Sequence, residues 1–118
     1  MDWPGSIDTV REIDIETRRA PDAPVHRTTI WAVVDGGDVY IRSLKGDSGR
    51  WYRDLLANPD AVVHAGDESA PVRAVDASDA DSVERASAGL RSKYADSSSL
   101  ASMLQDDMLE ATLRLEPR

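Results

Sequence analysis

The chain has 118 residues, 41% of them hydrophobic and 31% charged, with a net charge of −8, six aromatic residues and no cysteine. That length suits one domain over residues 1–118, small enough that a second subunit would add stability, so a homodimer is expected. The negative charge argues against a general nucleic-acid binder and disfavours anionic membranes, while the missing cysteines exclude disulfides and thiolate metal sites. No apolar run reaches the length of a membrane span, and the opening MDWPGSIDTV has neither a basic leader nor an apolar signal core. A soluble cytoplasmic protein is the expectation.

Residues 12–18 alternate, with Ile13, Ile15 and Thr17 on one face and Glu12, Asp14, Glu16 and Arg18 on the other, as a half-buried strand should. The carboxylates of that second face are expected to be solvated. Two prolines and an aspartate over residues 20–24 read as a turn. Residues 26–34, HRTTIWAVV, are β-branched or apolar almost without interruption and predict one central strand covered on both faces. Asp35-Gly36-Gly37-Asp38 signals a hairpin returning as a strand over residues 39–44. A helix should run over residues 49–58, with Ser48 as its N-cap, Trp51 and Leu55 one turn apart and Pro59 ending it. Residues 61–65 and 69–77 make a second strand pair around Gly66-Asp67-Glu68, and Pro71 suggests that the latter begins at an edge. Val83, Ala86, Leu90 and Tyr94 recur at helical spacing, predicting an amphipathic helix over residues 79–94 with Gly89 as its weak point. Serines 97–99 break it. A helical turn over residues 100–109 and a final strand over residues 111–116 complete the chain.

This order predicts an α+β fold, an antiparallel sheet of six strands closed into a small barrel with two to three helices. A doubly wound sheet is not expected, because βαβ alternation, G-x-G-x-x-G and the P-loop are all missing.

The richest segment is SLKGDSGRWYRDLLANP, residues 43–59. Ser43, Lys45, Gly46, Ser48, Gly49 and Arg50 offer hydroxyls, cationic charge and free backbone N–H groups at a helix start, which suits a phosphate. Trp51 and Tyr52 offer a flat wall for a ring system. The structural alternative is a surface helix whose Trp51 and Leu55 enter the core. Across residues 41–53 four basic residues (Arg42, Lys45, Arg50 and Arg53) face one acid, Asp47, so an acidic chain carries a local +3.

VHRTTIWAVVDGGDVYIRS, the KG turn, WYRDLLANPDAVV, PVRAVDA and LEATLRLEP together resemble the split β-barrel flavin and deazaflavin oxidoreductases, over residues 24–117. These share the FMN-binding split-barrel fold of pyridoxamine phosphate oxidase. Within them the chain is most similar to the deazaflavin-dependent nitroreductase family and a short domain-of-unknown-function branch of it. The resemblance implies a cofactor, F420 or FMN, at a dimer interface, and hydride transfer to or from a small organic substrate. Carried to matching positions, it implies cofactor contacts from Arg27, Thr28, Thr29, Ser43, Lys45 and Gly46, with Trp51 and Tyr52 as wall residues and Tyr94 on the substrate side. A non-catalytic split-barrel dimer that holds a flavin-like, haem-like or other anionic aromatic ligand is the alternative.

A cofactor that performs hydride transfer itself asks the protein only to place and desolvate it, so no nucleophile–base pair is required. His26 and His64 cannot alone make a metal site, and none is expected. Both read as strand residues, His26 with the option of neighbouring a phosphate. Trp31 and Tyr40 should pack against each other across the sheet.

Overall fold

The computed structural model describes residues 3–118. A short helix α1 (Gly5–Asp8), which the sequence reading lacks, leads into β1 (Ile13–Thr17), β2 (His26–Ile30), β3 (Val33–Asp35) and β4 (Asp38–Arg42). Helix α2 (Arg50–Ala57) precedes β5 (Asp60–Ala65) and β6 (Glu68–Asp76). Helices α3 (Ala80–Lys93) and α4 (Leu100–Met103) and strand β7 (Thr112–Pro117) follow, with 3₁₀ turns at Gly46–Ser48 and Asp106–Met108. All seven strands pair antiparallel in one sheet, in the order β2-β1-β5-β6-β7-β4-β3. The α+β class holds. Among the described residues the strands number seven rather than six, and the helices four rather than two to three.

The extra strand comes from the run expected to be a single central strand. Ile30 pairs with Ile13 at one edge of the sheet, whereas Val33 pairs with Tyr40 at the other. Only Trp31 and Ala32 lie between, and three peptide steps reach about 11 Å at most, so the two edges must approach each other. The sheet therefore curls into a half-barrel. Ala32, at the crossing, has no strand partner. Its N–H donates to Tyr94 Oη (3.1 Å) and its carbonyl accepts from Lys93 Nζ (2.7 Å), so the break leaves neither group unsatisfied. Trp31 lies flat on Tyr94, ring centres 4.0 Å apart and planes 6° from parallel, and this stack takes the place of the expected Trp31–Tyr40 packing.

Two cores result. Alternate residues of the strands, among them Ile13, Ile15, Val39, Ile41, Val63 and Leu113, fill the inside of the curl, which Trp51, Tyr52 and Leu55 of α2 plug. On the outside, Val33 and Tyr40 pack beneath Leu90 of α3, Tyr94 at its C-terminal cap and Met103 of α4. Strand β4 thus sends Val39 and Ile41 inward and Tyr40 outward, and the same alternation turns Arg42 toward α3.

The local signals fare unevenly. Gly36 and Gly37 both hold positive φ, as the Asp35–Asp38 hairpin requires, and Arg85 of α3 clamps that turn through Asp35 Oδ2 (2.6 Å) and the Asp35 carbonyl (2.8 Å). Asp79 caps α3 by accepting the Ser82 N–H at 3.0 Å. Ser48 does not cap α2. The 3₁₀ turn folds its hydroxyl back onto the Lys45 carbonyl (2.7 Å), and Gly49 takes the cap position without a side-chain bond. Pro71 sits where β6 pairs with β5 alone, before β7 joins opposite Val72, and its carbonyl accepts from the Arg118 N–H on the side away from β5. Its missing N–H therefore costs no bond to β5. The carboxylates of β1 are paired more than expected. Asp14 accepts from Arg27 Nε (2.8 Å) and Thr29 Oγ1 (2.6 Å), and Glu16 lies 3.1 Å from His64 Nε2.

Candidate functional site

Strand β4 delivers Ser43 to the mouth of α2. Its backbone N–H donates to the Ala111 carbonyl, and its hydroxyl is buried without a hydrogen-bond partner. The loop then turns at Gly46, whose φ of +58° favours glycine, and comes back over Ser43 at Gly49. A Cβ on Gly49 would stand 2.4 Å from Ser43 Oγ, so a side chain here would force the Ser43 hydroxyl from its position. Lys45, Ser48 and Arg50 are exposed around this point, and among the described residues neither cation has a carboxylate partner. The start of α2 thus combines unsatisfied helical N–H groups, no side-chain cap, an orphaned buried hydroxyl and two free cations. That set is complementary to an anion such as a phosphate.

Beside the loop opens a cleft of about 250 Å³. Ile30, Arg42, Trp51 and Met103, all buried, form its inner wall, with half-buried Trp31, and the exposed Glu12, Thr29, Leu44 and Ser99 form its rim. Two indoles and a thioether give it an apolar wall, beside the polar groups of Glu12, Thr29, Arg42 and Ser99, so it suits a ring system that carries polar substituents. Leu44, between Ser43 and Lys45, links the rim of the cleft to the α2 mouth.

Of the expected site residues, Ser43, Lys45, Gly46, Ser48 and Arg50 gather at the α2 mouth, and Trp51 and Thr29 reach the cleft. Tyr52 turns elsewhere. It meets Trp51 edge to face (6.3 Å, 85°) and opens onto another cavity lined by Asp47, Asp107 and Glu110, where burial and then nearby carboxylates push its hydroxyl pKa up. Arg27 is bound to Asp14, and Thr28 lies half-buried on β2 with its Oγ1 unpartnered. Tyr94 is fully buried, its hydroxyl donating to the Arg11 carbonyl at 2.6 Å, and so it faces the backbone rather than the cleft. The basic island also disperses. Arg42 points to α3, and Arg53 lies with Arg19 and Leu56 around a separate shallow depression, leaving Lys45 and Arg50 together.

Two charged residues matter more than the sequence indicated. Arg42, 2% exposed, lies behind the cleft, and burial pushes its pKa down to about 10. Asp54 of α2, 1% exposed, accepts from Thr17 Oγ1 (3.0 Å), with His26 Nδ1 at 3.2 Å and Arg19 Nε at 3.5 Å. His26 is thus tied to a helix carboxylate. The available signal was position: Asp54 directly precedes Leu55 and follows Trp51 by three residues, which puts an acid on the buried face of α2.

No helix among the described residues is long and apolar enough to cross a membrane. The fold is shared with an F420-H2-dependent reductase, FDR-A, at a TM-score of 0.72 and 19% identity over 90% of this chain and 94% of that one. It is shared equally with HutZ, the haem storage protein of Vibrio cholerae, at a TM-score of 0.72 and 12% identity over 97% and 86%. A domain-swapped dimer matches at a TM-score of 0.67 and 19% identity over 92% and 81%. At such identities the likeness establishes architecture, a half-barrel consistent with the split barrel, and not activity. No curated protein matches the chain. The bacterial family described as "Uncharacterized protein conserved in bacteria (DUF2255)" matches residues 5–115, and the chain belongs to that family.

Proposed function

We propose that this protein is a flavin- or deazaflavin-dependent oxidoreductase that holds FMN or F420 as a homodimer. The observation that carries the reading is the mouth of α2, where the buried Ser43 hydroxyl lacks a partner against a glycine that leaves no room for a side chain. The residues present fit a phosphate. Lys45, Arg50, the Ser43 hydroxyl and the free N–H groups of the first turn of α2 would hold it, in the loop that Gly46 and Ser48 shape by donating to the Ser43 and Lys45 carbonyls, and Trp51 with Thr29 would meet the ring in the adjacent cleft. When bound, the cofactor supplies two-electron hydride transfer, and the chain supplies position, a dry wall and charge compensation. The shared architecture with an F420-H2-dependent reductase supports the reading.

A second reading, binding without catalysis, is favoured by the cleft wall. Among the residues lining it, Glu12 is the only carboxylate and there is no histidine or tyrosine, so proton transfer has few candidates. HutZ shows the same architecture in a haem storage protein.

The test is the visible absorbance of freshly purified protein, followed by separate titrations with FMN, F420 and haem. Lys45→Ala should weaken the preferred flavin-type cofactor by about 1 to 3 kcal/mol, the usual cost of losing a charged hydrogen bond, and leave the melting temperature nearly unchanged. A fall in melting temperature with unchanged affinity would make Lys45 structural. Binding of haem alone would favour the second reading.

A further inference from the structure

Arg42 is the only buried lysine or arginine among the described residues, and no carboxylate there pairs with it. Neutral acceptors take four of its five N–H groups. Nε donates to Thr112 Oγ1 (2.8 Å), Nη1 to Ser87 Oγ (3.0 Å) and the Met103 carbonyl (3.1 Å), and Nη2 to the Val83 carbonyl (3.1 Å). One Nη2 N–H is left over. On α3, Arg91 and Glu84 act on it with opposite sign, Arg91 the more strongly, and lie 3.6 Å from each other. Burial lowers the guanidinium pKa only to about 10, so it remains cationic at neutral pH.

Neutral polar side chains could bridge β4, β7, α3 and α4 as Arg42 does. What the bridging leaves unexplained is the charge, because removing a cation from water without an anion is costly. The same side chain forms part of the inner wall of the cleft, next to Trp51 and Met103. We propose that the cleft takes a planar conjugated carboxylate, its anionic end drawn toward Arg42 and its ring set against Trp31, which leaves the Trp51 side to the cofactor ring. Glu12 on the exposed rim repels such an anion and so favours the orientation with the carboxylate inward. This names a substrate class for the proposed oxidoreductase. It rests on the reading of the cleft as a ligand site, but binding of the carboxylate does not require a bound cofactor.

Calorimetric titration of the cofactor-free protein with 2-naphthoate and its neutral isostere 2-naphthamide tests the charge directly. The carboxylate should bind about tenfold or more tightly than the amide, and inorganic phosphate should not displace it. Arg42→Met should abolish the preference. Equal affinity for the two probes, no binding of naphthoate at millimolar concentration, displacement by phosphate, or a preference that persists in folded Arg42→Met would each overturn the proposal. If Arg42→Met does not fold, the wild-type comparison of the two probes decides. FMN and F420 titrations on the same preparation keep the two readings apart: cofactor binding without a carboxylate preference overturns only this inference, and the reverse result overturns only the cofactor reading.

Discussion

Single side chains in this protein carry backbone duties that a strand or helix would otherwise perform. Tyr94 is the clearest case, because its hydroxyl accepts the Ala32 N–H and donates to the Arg11 carbonyl while its ring stacks on Trp31. Tyr94→Phe should keep the stack, orphan a buried N–H and cost about 1 to 3 kcal/mol in urea denaturation. Burial pushes the same hydroxyl up to about 12. A raised folded pKa gives stability that is full below the ordinary tyrosine value of about 10 and is lost as pH rises through the folded value. Wild-type stability should therefore fall between about pH 10 and 12, and Tyr94→Phe should flatten that limb. Asp14 has the opposite sign, since hydrogen bonds from Thr29 and Arg27 hold its carboxyl below the ordinary range. Its contribution is full above about pH 4 and disappears as pH falls through the lowered value, so Asp14→Asn should flatten the acid limb of the same stability profile.

At the scale of elements, the approach of α3 to β3 sets the position of everything on the outer face. A Cβ on Gly89 would meet Val33 Cβ and Cγ2 at 2.9 Å, so the glycine that weakens the helix by propensity is what lets it reach the strand. Gly89→Ala should destabilise by about 1 to 3 kcal/mol despite a propensity gain of about 1 kcal/mol, because overpacking outweighs it. Thermal denaturation checks this, and a rise in melting temperature would show that α3 does not press on Val33. Helix α2 is positioned by its N-terminal glycine in the same way. Gly49→Ala would drive a methyl group onto Ser43 Oγ and turn that hydroxyl out of the α2 mouth, so cofactor affinity should drop as it does for Lys45→Ala. Titration of the two variants with the same cofactor compares them.

For the whole molecule, the question is what covers the cleft and the sheet edges. Strand β2 remains an edge with Arg27 and Thr29 exposed, and among the described residues Leu44 on the cleft rim, Val25 and Leu56 are the large apolar side chains most open to solvent. A second copy that buries the rim would desolvate the cleft and complete the proposed site. Light scattering at micromolar concentration should therefore give twice the chain mass, with or without cofactor. A stable monomer that still binds cofactor at full affinity would remove the interfacial part of the proposal.

Sequence by itself determined what depends on near neighbours. Alternation in β1, the glycine pair of the hairpin, the span of α2 up to Pro59 and the amphipathic stripe of α3 were legible because side-chain period and turn chemistry act over a few residues. The residues of the α2 mouth were legible too, being contiguous from Ser43 to Trp51. Tertiary structure alone decided where the run of residues 26–34 breaks, because Tyr94 and Lys93, some 60 residues away, satisfy Ala32 in place of a strand partner. It likewise decided that Tyr52 turns from the cleft, and that Asp54 gathers Thr17 and His26. Arg42 read in the sequence as one of four clustered cations. Its burial and want of an anion follow from strand parity, which turns it toward α3, and from what α3, α4 and β7 place around it. The pattern of a sequence records which face a residue takes, whereas its partners come from elements far along the chain.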